Sequence, residues 1–139
     1  MYQFNADDLT DPAALGMQPH PEGGWYVEHY RNPQDVATPN GPRGLATAIS
    51  FLLQPGQESA WHRVRSDELW FWQGGGPLEL DLGGDGARPG DATTYTLGLG
   101  GQLLVPANVW QAARPAGDET VIVGCVVTPG FDFADFELA

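Results

Sequence analysis

Apolar and polar positions alternate along most of the chain in short runs, each closed by glycine or proline. Trp25–Tyr30 alternates as a half-buried strand does, and Leu45–Leu53 is apolar enough for a central one. Further runs at Ala60–Arg65, Glu68–Gln73, Leu78–Leu82, Thr93–Leu97, Gln102–Val105, Val109–Arg114 and Thr120–Thr128 predict more strands. The breaks between them are Pro55-Gly56, Gly74-Gly75-Gly76 and Gly83-Gly84-Asp85-Gly86. Short strands at roughly 8–12 residue spacing with glycine-rich turns predict an all-β sandwich or barrel. One short helix is expected over Ala6–Leu15, with aspartates in its first turns and Gly16 at its end. Asn32–Arg43, with three prolines, reads as a polar loop. No repeat, linker or low-complexity tract divides the chain, so residues 1–139 are expected to form one domain.

Composition agrees with that reading and narrows the partners. Nineteen glycines and twelve prolines among 139 residues suit many tight turns. Eighteen acidic residues against six cations, all arginine, give a formal charge of −12. A phosphate backbone demands a basic footprint, so nucleic acid is excluded as an expected partner. Docking on anionic lipid is disfavoured for the same reason, and no apolar run reaches the ~20 residues of a membrane span. The first residues have neither the basic nor the apolar region of a secretory signal. The single cysteine, Cys125, has no partner for a disulfide within the chain and lies in an apolar run. A cytoplasmic protein with a buried, reduced thiol is expected.

Chemistry concentrates between Gly56 and Gly75. Alternate residues of a strand share a face, so His62 and Val64 point one way and Arg63 and Arg65 the other. After a turn at Ser66-Asp67, Glu68, Trp70 and Trp72 share one face of the next strand. An imidazole and a carboxylate six residues apart across a hairpin thus converge. Both are expected to be catalytic candidates, because an inward carboxylate is costly unless paired or useful. Trp70 and Trp25 are candidates for the wall of a pocket that accepts a ring, against the alternative of core or interface packing. His20 and Glu22 begin a turn with Gly23 and Gly24 and are candidate lid or ligand residues. Arg63 is carried as a ligand contact, against the alternative that it pairs with one of the many carboxylates.

The spacing Gly56, His62, Glu68, Gly75 resembles the first cupin motif, G-x5-H-x-H-x3-E-x6-G, with Val64 where the second histidine is usual. Gly100–Pro106 resembles the start of the second motif, with Asn108 replacing its glycine and Gln111 its histidine. The blocks HPEGGWY, TAISFLL, SAWHRVRSDELW and VVTPGFDFADFELA are similar to one small family of that superfamily, cupin 5 or domain of unknown function 985. The resemblance implies a double-stranded β-helix, a jelly-roll barrel like that of the dTDP-sugar epimerases, often dimeric. It implies no particular reaction. Metal-binding cupins usually supply three histidines and a carboxylate, whereas one histidine, one carboxylate and the Gln111 amide stand here. No cofactor or tight metal is therefore expected, with a loose divalent ion on His62, Glu68 and Gln111 as the alternative.

The resulting expectation is a cupin that binds a small, carbohydrate-like molecule in a pocket built from His62, Glu68 and Gln111. Its chemistry would be a metal-light epimerisation or isomerisation with His62 as general base and Glu68 orienting it. The alternatives are a non-catalytic metabolite binder and a metal-dependent cupin enzyme. A homodimer is expected, since a small Trp-rich barrel has an edge and apolar surface to cover.

Overall fold

A computed structural model describes residues 1–139. Thirteen strands run in chain order: β1 (Gln18–Pro19), β2 (Trp25–Arg31), β3 (Asp35–Thr38), β4 (Gly41–Gly44), β5 (Thr47–Leu53), β6 (Ser59–Arg63), β7 (Asp67–Gly75), β8 (Leu78–Leu82), β9 (Thr93–Leu97), β10 (Gln102–Val105), β11 (Gln111–Pro115), β12 (Val121–Thr128) and β13 (Glu137–Leu138). A six-stranded antiparallel sheet in the order β1-β2-β5-β12-β7-β10 faces a five-stranded one in the order β13-β6-β11-β8-β9. Apart from β1-β2 and β8-β9, neighbours in both sheets are non-consecutive, which marks the crossovers of a jelly roll. No helix is long and apolar enough to cross a membrane.

Register sets out the interior of the larger sheet in rows. Thr47, Val127 and Glu68 lie abreast, then Ile49, Cys125 and Trp70, then Phe51, Val123 and Trp72. Side chains of one row share a face, so each step along the sheet exchanges polar character for apolar. The far end closes on a core of Phe51, Leu53, Trp70, Leu78, Leu80, Val105, Val121 and Val123. The Glu68 end stays open. On the smaller sheet Gln111 pairs with both His62 and Leu82, which places His62 and Gln111 side by side facing that opening.

The outer face of the larger sheet carries a second, smaller core. Leu52 and Ile122 are covered there by Met17, with Phe4, Ala6, Leu9, Leu15 and Trp25 packed around them.

Two expectations about local structure are corrected. The helix expected over Ala6–Leu15 is only a 3-10 turn at Pro12–Leu15. Asp8 accepts bonds from the backbone and hydroxyl of Thr10, a local turn that competes with helix, and Asp11 then caps a segment that starts on Pro12 and stops at left-handed Gly16. The loop Asn32–Arg43 contains a hairpin, β3 with β4. Its Pro42 lies on a two-stranded ribbon with no further neighbour, where a missing N–H costs little.

Candidate functional site

The open end of the barrel is a cavity of about 470 Å³. His62, Val64, Glu68 and Cys125 line its depth, Thr47, Ile49, Val127 and Tyr26 its side, and Phe131, Phe133 and Phe136 its mouth. His20 and Glu22 reach into it from the turn between β1 and β2.

That turn is held firmly. Its backbone closes through His20 N–H to Gly24 O (3.0 Å) and Gly23 N–H to His20 O (2.9 Å), and Glu22 O accepts from Ala60 N–H at 2.7 Å. Gly23 has a φ of +112°, and a Cβ on it would overlap the Glu58 carbonyl oxygen. Only glycine fits. The result is that Glu22 is delivered between two imidazoles, with Oε1 3.2 Å from His20 Nδ1 and Oε2 3.3 Å from His62 Nε2. Ser59 Oγ also donates to Glu22 Oε2.

Hydrogen bonds fix the tautomers. His62 Nδ1 lies 2.7 Å from Ala60 O, an acceptor, so Nδ1 carries a proton and neutral His62 turns the lone pair of Nε2 toward Glu22. His20 Nδ1 accepts from Glu22 N–H at 3.1 Å, so it too presents a lone pair. Two ring lone pairs thus face the two oxygens of one carboxyl group, and a single proton on Glu22 turns one of these contacts into a hydrogen bond. Electrostatics runs the same way. Burial drives Glu22 up to about 8 against the opposing Ser59 bond. Burial, helped by neighbouring His62, takes His20 down to about 4. His62 is pushed below its usual value by burial, against the charge of Glu68 and the Ala60 bond.

Glu68 stands deeper. Trp70 Nε1 donates to Gln111 Oε1 at 2.9 Å, and Gln111 Nε2 donates to Glu68 Oε1 at 2.8 Å. An indole N–H only donates, so the Gln111 amide has one possible orientation, nitrogen toward Glu68. Burial raises Glu68 to about 7; His62 opposes this, Glu22 adds to it, and bonds from Gln111 and Cys125 oppose it. The Cys125 thiol beside it is pushed well up by burial first and by Glu68 second, which makes it an unreactive donor.

The structure brings together His20, Glu22, His62 and Glu68, with fully buried Gln111 supporting them from behind. It does not bring the others. Trp70 belongs to the closed core, not the cavity wall, although Ile49 and Cys125, abreast of it in the sheet, do line the cavity. Trp25 packs on the outer face of the sheet, paired across from Leu52. Arg63 points away, as strand alternation requires, stacking 4.5 Å over Trp110 and donating to Glu137 and Gly86 O. No group of three or more His, Cys, Asp or Glu side chains converges as a metal would need.

Aromatic lining of the mouth comes from residues whose individual role strand patterning misses. Phe131, Phe133 and Phe136 follow the last long strand, and Phe136 stacks on His62 with centroids 5.5 Å apart. The available signal was three phenylalanines within six residues of an acidic, non-alternating tail. At the second motif, Asn108 adopts a φ of +67°, the backbone state of the glycine it replaces.

Residues 13–139 match the model of the family described as "Cupin superfamily (DUF985)". A protein from Shewanella oneidensis is similar in structure at 33% identity and a TM-score of 0.80, over 99% of this chain and 85% of that one. A hypothetical protein from Leishmania major is similar at 31% identity and a TM-score of 0.78, over 91% and 84%. The capsular polysaccharide assembling protein CapF of Staphylococcus aureus shares the fold at 13% identity and a TM-score of 0.68, over 88% of this chain but 31% of its own. Among curated proteins no sequence matches. With nearly its whole length inside the family match, a jelly-roll barrel and both motif positions in register, this chain belongs to the DUF985 family of the cupin superfamily.

Proposed function

We propose that the cavity binds a carbohydrate-like small molecule and moves a proton on it, as an isomerase or epimerase does. The observation that carries this is the Glu22 carboxyl held between the Nδ1 of His20 and the Nε2 of His62. Opposite shifts leave a neutral imidazole beside a protonated carboxyl near pH 7, a base and an acid side by side. His62 Nε2 takes the proton from a C–H next to a carbonyl while Glu22 gives its proton to that carbonyl oxygen. An enediol results; His62 then returns its proton to the former carbonyl carbon while the hydroxyl on the deprotonated carbon gives its proton to Glu22 and becomes the new carbonyl. This shifts the partnership expected for His62 from Glu68 to Glu22. Glu68 borders the same space, held from behind by Gln111, and neither bonds to Nε2.

The donor set fits a tightly held transition ion poorly. Gln111 turns its amide nitrogen to Glu68, and His20 Nδ1 is occupied by the Glu22 amide. His62 Nε2 is the one ring nitrogen of the set whose lone pair is not taken by a backbone N–H, and it faces the Glu22 carboxyl at 3.3 Å.

Incubating the protein in heavy water with a panel of aldoses and ketoses tests the activity. Deuterium entering a carbon-bound position, and not doing so with His62→Gln, is the expected result; no exchange with any member overturns it. Non-catalytic binding is the second reading, favoured by the absence of any buried side-chain polar atom without a partner. Saturable binding without exchange is its signature.

Two copies are proposed to pair. Leu104, on edge strand β10, and nearby Leu99 are exposed apolar residues in need of cover. Light scattering at twice the chain mass is expected, and a monomer at all concentrations overturns it. The buried free thiol of Cys125 suits the cytoplasm.

A further inference from the structure

Four features of the cavity bear on the charge of what enters it. Glu68 is only 8% exposed yet lines the cavity, and no arginine reaches it; the chain has no lysine. Its partners are the Gln111 amide, which holds Oε1, and the Cys125 thiol, both neutral donors. Arg31 is the one cation of the lining. It sits at the rim, bound to Glu28 at 2.7 and 3.3 Å and to Phe131 O at 3.0 Å. Around the mouth Tyr26, Phe131, Phe133 and Phe136 offer ring faces and edges, the surroundings in which an organic cation is attracted to aromatic quadrupoles. A net charge of −12 adds a field that gathers cations at a cleft with low-dielectric walls.

We infer that the cavity takes an amine-bearing small molecule, with its ammonium group seated against Glu68 and its ring against the phenylalanines of the mouth. This rests on the small-molecule reading of the same cavity and names the ligand's class. It divides the labour of the two glutamates: Glu22 shares a proton with His62, and Glu68, which gives up its proton to solvent as the ammonium enters, is the counter-ion that holds the ligand. The arginines that could have served a phosphorylated sugar face elsewhere. Arg63 is engaged by Glu137 and Gly86, and Arg65 by Asn40. A phosphate or carboxylate seated beside Glu68 would find no cation there, Arg31 of the lining being bound to Glu28.

Two matched sets of probes decide the matter: glucosamine, glucose and glucose 6-phosphate; and benzylamine, benzyl alcohol and benzoate. Dissociation constants come from NMR titration, and the ring signals of His62 report that the probe is in the cavity. The amine is expected to bind at least about tenfold more tightly than the neutral member of its set, with the anion weakest. In Glu68→Gln the amine should fall to within about twofold of the neutral probe, while Glu68→Asp keeps the order. If Glu68→Gln does not fold, the order within each wild-type set decides alone. Equal binding of amine and neutral probe, tightest binding of the anion, or an amine preference that survives in folded Glu68→Gln overturns the inference and leaves the small-molecule reading standing. No movement of the His62 signals with any of the six overturns both.

Discussion

Two pairs of buried carboxylates sit in this barrel, and they are treated differently. Asp135, 6% exposed, receives a two-pronged guanidinium: Arg43 Nε at 2.8 Å and Nη2 at 2.9 Å. Asp81, 9% exposed, receives Arg114 at 2.8 Å and the Thr94 hydroxyl at 2.6 Å. Glu68, 8% exposed, and Glu22, with a side chain 10% exposed, receive no arginine at all. Burial raises Asp81, but the Arg114 and Thr94 bonds outweigh it and leave the group below its usual value. Burial wins at Glu22 and Glu68, which rise to about 8 and about 7. Where a carboxylate serves to fasten strands or the C-terminal turn, this fold supplies a cation. In the cavity it supplies neutral donors and histidines, an arrangement that lowers stability and keeps protons available.

The sharpest division between the pairs is in turnover. Once a substrate is in hand, His62→Gln and Glu22→Gln are each expected to lose 10²–10⁴-fold in rate, about the usual worth of a positioned acid or base. Asp81→Asn should stay within about twofold, its effect confined to folding. His62→Gln keeps bulk and a donor for Ala60 O, so its melting free energy should lie within ~1–2 kcal/mol of wild type. A His62→Gln protein with the wild-type rate would remove the base from the mechanism.

Stability against pH separates the pairs next. Glu22 and Glu68 hold protons in the folded protein that an unfolded carboxyl has lost above its ordinary 4.5, so their contribution declines as pH rises to about 8. Below 6.5 the two histidines oppose that decline, because unfolded histidine gains the protons that His20 and His62 refuse when folded. Above 6.5 the carboxyls act alone, and wild type should lose roughly 2–3 kcal/mol between about pH 6.5 and 8.5. Glu22→Gln and Glu68→Gln should each flatten that alkaline slope. Asp81, shifted down, contributes stability above its ordinary value of 3.8 and loses it as pH falls, so Asp81→Asn should alter only the acid limb. Melting curves across pH check both limbs, and an unchanged alkaline slope in both glutamine variants would refute the assignment.

How much of this was legible in the residues varies with what each signal depends on. Leu78–Leu82, Thr93–Leu97 and Gln102–Val105 alternate between clear glycine breaks and form strands with those bounds. His62 and Glu68 share the cavity because strand alternation and a hairpin suffice to bring them together. Alternation tells which face a residue takes but not how far along the barrel it lies. Trp70 therefore looked equivalent to Glu68, although its side chain is enclosed in the core. Trp25 shows a second limit: a sheet with cores on both faces buries residues of either parity. Glu22 reaches His62 from forty residues away through a turn pinned to Ala60, a long-range contact that local pattern does not encode.

A smaller effect concerns the paired side of the comparison. Asp135 lies in the 3-10 turn Phe133–Asp135, between two of the phenylalanines of the mouth. Arg43 therefore ties the β3–β4 hairpin to the segment that places Phe136 on His62. Asp135→Asn keeps the shape but not the charge, and should lower the melting temperature by a few degrees and speed proteolysis between Phe131 and Ala139. A variant with wild-type melting and protease resistance would show that the clamp contributes nothing.

The last expectation is of no effect, and it follows from how the unpaired carboxyls are surrounded. A transition ion bound by a cupin needs several nitrogen or carboxylate lone pairs at one point. The Trp70 indole forces Gln111 to turn its nitrogen toward Glu68, so the position where the motif has a histidine presents donors. Val64 presents carbon, and His20 Nδ1 accepts from the Glu22 amide. His62 Nε2 is then the one lone pair of the set not taken by a backbone N–H, and the Glu22 carboxyl stands 3.3 Å from it. An ion present at a hundred times its Kd would stabilise the fold by about 2.7 kcal/mol, which a melting curve resolves easily. We expect manganese, iron or zinc added in modest excess, or a chelator, to leave the melting temperature of tag-free protein unchanged. Elemental analysis after dialysis should find well under one equivalent. A stoichiometric ion, with a melting temperature that falls when it is chelated, would mean that Glu22 and Glu68 do have a cation partner and that the contrast with Asp81 and Asp135 is lost.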